Sequence, residues 1–92
     1  MKNFEIIENA NGTSRFTHPK GYNSWLDYWE LQAGRIASQC SACENKDDLV
    51  GAHVRKVFGD NHLYIIPLCK SCNKKTGMFS AFAEFIPVPS NL

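Results

Sequence analysis

Three absences narrow what this chain can be. No apolar run is long enough for the core of a secretory leader or for a bilayer span, so the expected compartment is the cytoplasm and no membrane partner is expected. An excess of one charge is also missing: ten Lys and Arg face nine Asp and Glu, for a net charge of +1 at pH 7. General affinity for nucleic acid therefore does not follow from charge alone, and any such binding must come from a local patch. Internal repeats and low-complexity segments are lacking as well, apart from a duplicated Cys-x-x-Cys.

What is present is a globular composition. With 43% hydrophobic and 21% charged residues, the chain sits outside the disordered range, and its eleven aromatic residues provide material for a core. A chain of 92 residues makes one small domain that is marginal without further support. Residues 1–23 contain the turn-rich "NANG" and "THPKG" and read as an N-terminal arm, in which Phe4, Ile6 and Ile7 suit a short strand. Residues 24–92 read as the domain proper.

"SWLDYWELQAG" is the clearest helix. Ser24 suits the N-cap, Asp27 favours the positive helix start and Gly34 suits the stop. Trp25, Tyr28, Trp29 and Gln32 fall on one face, which is expected to pack as core. "LVGAHVRKVFGDNHLYIIPLC" reads as two strands around the turn formers of "GDN". "CKSCNKKTG" reads as a knuckle opening into a helix that stops near Gly77. In the tail, Phe79, Phe82 and Phe85 have helical spacing, with an extended segment as the alternative.

The strongest signal is the pair Cys40-x-x-Cys43 and Cys69-x-x-Cys72. A Cys-x-x-Cys turn places two sulfurs on one side of a metal, and two such turns complete a tetrahedral site of four cysteines. One structural Zn2+ per chain is expected, and a closed site of four thiolates leaves no open position for catalysis. Four thiolates and one Zn2+ together add −2 and bring the net charge to −1. A redox Cys-x-x-Cys beside a βαβ unit and a pair of disulfides fit less well.

"CSAC", then "GAHV", then "LCKSCNKK" together resemble the HNH endonuclease superfamily over about residues 38–76. The resemblance implies an α+β fold: a small zinc-stabilised treble clef with a ββα-metal core, here with an added N-terminal helix. It implies that His53 stands where the general base would be and that Asn73 matches a position that ligates metal in some members. Two departures mark the catalytic motif as degenerate. Ala52 occupies the position that commonly carries an Asp ligand, and Tyr64 the one that commonly carries an orienting Asn. A second divalent metal is therefore not expected.

His53 keeps three readings: a packing histidine that hydrogen-bonds a backbone carbonyl or Asn73, a residual base, or a replacement zinc ligand. For function, the expectation is a nucleic-acid-binding module for DNA or RNA, with Arg55, Lys56, Lys70, Lys74 and Lys75 on one side. An active HNH-type endonuclease using His53, and a zinc module that binds a protein partner or a second copy, are the alternatives.

Overall fold

A computed structural model describes residues 2–10 and 20–89. The expected "THPKG" turn and the tip of "NANG" lie largely outside the described residues. In the described residues five strands form one antiparallel sheet: β1 (Asn3–Asn9), β2 (Leu49–Lys56), β3 (Leu63–Cys69), β4 (Met78–Ala83) and β5 (Ile86–Pro87), in the order β4-β1-β2-β3-β5. Among the described residues two helices accompany it, α1 (Trp25–Ala33) and the single turn α2 (Lys70–Asn73). The molecule is a small α+β domain. Among the described residues no helix is long and apolar enough to cross a membrane.

The segment read as an arm supplies an interior strand. β1 pairs with β2 on one side and with β4 along six residues on the other. Its alternation sorts Glu5 and Ile7 to one face and Phe4, Ile6 and Glu8 to the other, as a strand's two-residue period requires. Ile7 is fully buried, whereas Phe4 is exposed.

β4 and β5 occupy opposite edges of the sheet, yet only Glu84 and Phe85 separate them. Three Cα–Cα steps reach at most ~11 Å. A flat sheet of five strands would hold its edges about 19 Å apart. The sheet is therefore rolled. Its inner face encloses Ile7, Ala52, Val54, Ile66, Leu68, Ala81 and Ala83, with Phe85 closing the seam.

Against the outer face of β2, β3 and β5 lies α1. The local signals in its sequence set its ends. Ser24 Oγ accepts the Asp27 N–H at 3.0 Å, and Gly34, at φ 74°, donates to the Glu30 carbonyl. Tyr28 and Trp29 are buried with Ile65 and Val88 in a second core. Trp29 Nε1 donates to the Glu84 carbonyl at 2.7 Å and ties α1 to the β4–β5 connection.

Two expectations for the C-terminal third are corrected. The helix after Cys72 ends at Asn73 rather than near Gly77, and residues 78–83 are a strand rather than a helix. The three-residue spacing of the phenylalanines is overridden by a two-residue alternation. Phe79, Ala81 and Ala83 face the core, Met78, Ser80 and Phe82 face outward, and pairing with β1 satisfies the backbone. Gly77 takes a φ of 81° at the entrance to β4, a conformation that glycine adopts freely.

Candidate metal centre

Both knuckles are held from outside themselves. The first is a tight turn. Cys40 N–H donates to the Asn45 carbonyl at 2.7 Å and Glu44 N–H to the Cys40 carbonyl at 3.1 Å. Ser41 links it to two strands: its N–H donates to the Pro67 carbonyl at 2.9 Å, and its own carbonyl accepts the Phe82 N–H at 3.0 Å. The second knuckle follows directly from β3, with Cys69 as the residue before α2 and Cys72 inside it. Lys70 N–H donates to the Asp48 carbonyl at 3.0 Å.

This scaffold brings the Sγ atoms of Cys40, Cys43, Cys69 and Cys72 within 4.8 Å of one another, with Cys43 and Cys69 at 3.6 Å. A tetrahedral metal with ~2.3 Å bonds to sulfur needs sulfurs about 3.8 Å apart. Cys40, Cys69 and Cys72 are buried, and Cys43 is exposed at the rim. The four cysteines are thus positioned to hold one metal ion.

The electrostatics of the thiol cluster lead to the same conclusion. Burial opposes a thiolate at Cys40, but backbone N–H groups of Cys43, Cys69 and Ala42 outweigh it and bring the pKa down to about 7. Ala42 N–H lies 3.4 Å from the Cys40 sulfur. Cys72 is pushed far upward, first by burial and then by the neighbouring sulfurs. Without a cation, the buried cluster resists a second negative charge. A dication removes that conflict, and four soft thiolate donors suit zinc better than the oxygen-seeking Mg2+ and Ca2+. Comparison with models of protein families, with curated proteins and with solved structures finds no match to this chain.

One residue of this centre had no signal in the sequence. Asn9 Nδ2 donates to the carbonyls of Cys72 and Lys75, at 2.9 and 3.0 Å, across more than sixty residues of chain. It fixes the second knuckle to the end of β1. Asn9→Ala is expected to cost about 1–3 kcal/mol and to weaken metal binding by roughly tenfold or more, as loss of a supporting contact does. Competition with a chromophoric chelator measures the second effect.

The remaining site residues separate. His53 pairs with Ile65 in the β2–β3 register and is buried under α1, its ring 4.7 Å from that of Trp25 and nearly perpendicular to it. Asn73 lies at the exposed end of α2. Ala52 is buried in the inner core. Tyr64 does not orient His53. It pairs with Val54 in the register and gives its hydroxyl to the Asp60 carboxylate at 2.9 Å. Asp60 is thereby fixed at the hairpin turn, where His62 N–H also donates to it.

The cationic set is split as well. Adjacent strand residues point to opposite faces, so Arg55 is exposed while Lys56 turns inward. The Lys56 ammonium lies 4.4 Å from the Tyr64 ring centre and 5.2 Å from that of Phe85, with Glu5 at 3.9 Å. Lys56 therefore leaves the expected face. Arg55 and Lys75 line one hollow with Glu8, Asn9, Thr76 and Gly77, and Lys70 and Lys74 are exposed on and beside α2.

Burial holds the His53 pKa below the ordinary histidine value. The unfolded chain then takes up a proton that the folded chain refuses. The stability contributed by neutral His53 is complete above about pH 6.5 and is lost as pH falls from there toward the lowered folded value. At saturating zinc, the wild type should lose stability on acidification more steeply than His53→Gln. An imidazole titration followed by NMR should place the His53 midpoint below ~6.5, and a midpoint above it would contradict this assignment.

Proposed function

We propose that the chain is a zinc-stabilised nucleic-acid-binding module without nuclease chemistry. Its knuckle–hairpin–knuckle unit is a shortened treble clef, in which the last helix is reduced to one turn and replaced by a strand. The observation that carries the binding role is the hollow shared by Arg55 and Lys75. Twenty residues apart in sequence, they line one hollow, and Lys70 and Lys74 are exposed on and beside α2. A small group of cations on a rigid scaffold is how phosphates are contacted when net charge is near zero.

The degenerate catalytic reading is supported by the surroundings of His53. A general base must reach the attacking water, and here the imidazole is buried against Trp25. Beside it, Ala52 offers no ligand. Supercoiled plasmid incubated with Mg2+ or Mn2+ is expected to remain intact, and cleavage that disappears in His53→Ala would restore the endonuclease reading. His53→Ala should itself stay folded and loaded with zinc.

Binding is tested by fluorescence anisotropy with labelled oligonucleotides over a salt series. Arg55→Ala and Lys75→Ala should each weaken binding and reduce the slope of log K against log salt by about 1. Lys56→Ala should leave the slope unchanged, because its side chain is only 18% exposed and held by Tyr64, Phe85 and Glu5, whereas Lys75 is exposed although its ammonium lies 5.2 Å from the Phe79 ring centre. Equal effects of all three, or no binding by the wild type, would count against this role.

A further inference from the structure

Among the described residues, only half of the outer face of the sheet is covered. α1 packs on β2, β3 and β5, whereas the same face of β1 and β4 presents Phe4, Phe82 and Met78, which are 65%, 54% and 64% exposed. Phe4 and Phe82 are directly opposed in the β1–β4 register. Lys2 stands at one end, its ammonium 5.6 Å from the centre of the Phe82 ring. At the other end of β1, Glu8 is paired with Arg55 and opens onto the hollow that Arg55 shares with Lys75.

We infer that this face of β1 and β4 is a platform for single-stranded nucleic acid, with bases stacked on Phe4 and Phe82 and phosphates held by Lys2 at one end and by Arg55 and Lys75 at the other. The inference rests on the nucleic-acid reading above and names the form of nucleic acid and the surface it uses. Exposed rings on a sheet offer π-faces that any unpaired base can cover, whereas the bases of a duplex are already stacked on each other. Cations flanking a pair of rings match the alternation of base and phosphate along a strand. Glu8 offsets one of the two positive charges in the hollow and leaves a net of +1 there, whereas Lys2 and Arg35 share a recess with Glu44 and Glu84, so the net positive charge of this face sits at the Arg55–Lys75 end. β1, seven residues long, spans about 20 Å, room for a site of roughly four nucleotides, the low end for sheet-based single-strand binders.

The edge of β4 favours use of this face over strand addition. The Phe82 N–H, which points away from β1, is taken by the Ser41 carbonyl of the first knuckle. A strand arriving along that edge would meet the knuckle, so a ligand reaches β4 from its face.

The test uses the zinc-loaded full chain, with labelled dT12, rU12 and a duplex of the same length. Wild-type protein is expected to prefer the single strands, and the two homopolymers separate DNA from RNA. The double variant Phe4→Ala/Phe82→Ala should lose about tenfold or more in single-strand affinity. Circular dichroism and zinc content should remain unchanged, because both rings are exposed. The inference is overturned if the wild type prefers duplex, or if the double variant binds single strands as the wild type does. If Lys75→Ala still weakens binding in that case, the nucleic-acid role stands and only the platform is lost. Absence of binding to every oligonucleotide overturns both. Self-association of the wild type that the double variant abolishes, without oligonucleotide binding, would instead assign this face to a protein interface.

Discussion

Serine at any one of Cys40, Cys43, Cys69 or Cys72 is expected to leave a chain that neither retains metal tightly nor unfolds cooperatively. The four sulfurs converge within 4.8 Å, and the elements that carry them depend on one another. The first knuckle holds β3 through Pro67 and β4 through Phe82, while the second holds the end of β1 through Asn9. Binding of structural zinc provides on the order of 10–16 kcal/mol in small peptides. The whole stability of an ordinary domain is about 5–15 kcal/mol. Loss of one ligand therefore removes an amount comparable with the entire margin. Cys40, Cys69 and Cys72 are also part of the inner core, so substitution there additionally places a hydroxyl among apolar side chains. Far-UV circular dichroism and zinc content of the four variants decide the matter, and a folded variant with full zinc would show that its cysteine is not a ligand.

The second large effect is expected at a position that carries no chemistry. Gly51 lies in β2 beneath the first turn of α1. An added Cβ would overlap the Leu26 amide nitrogen and sit 2.5 Å from the Trp25 carbonyl carbon and 2.8 Å from its oxygen. These are backbone atoms, so no side chain can rotate away to relieve the contact. Gly51→Ala must lift α1 from the sheet, and with it the Trp25 ring over His53 and the Tyr28 and Trp29 side chains. Overpacking a core costs typically 1–3 kcal/mol and more where the backbone itself must move. For a domain of this size about 3 kcal/mol corresponds to a fall in Tm of roughly 12–24 °C. Thermal unfolding followed by tryptophan fluorescence measures it. A change of only a degree or two would mean that α1 is not seated directly on β2.

The parts of this fold that were legible in the sequence are those set by local chemistry. Ser24, Asp27 and Gly34 mark both ends of α1, because capping is decided within one helical turn. The two knuckles and the hairpin between them also show in short windows. What escaped was set by partners distant in sequence. β1 has the pattern of a strand, but only the pairing of Ile7 with Lys56 on one side and Phe79 on the other makes it an interior one. The tail has phenylalanines at a helical spacing, and the small inward residues Ala81 and Ala83 decide for a strand once β1 is present to pair with it. The role of Asn9 depends on a carbonyl 63 residues away and left no local trace. The inward turn of Lys56 was readable in principle, since neighbours in a strand cannot share a face.

Zinc stoichiometry, measured with and without a strong chelator while folding is monitored by circular dichroism, decides whether a metal held by the four cysteines sustains this fold. One zinc per chain is expected as purified, with loss of the β-sheet and helix signals when the metal is withdrawn and their recovery when one equivalent of Zn2+ is returned. A chain that is free of metal and still folded, or one that keeps its structure after the zinc is removed, would contradict this.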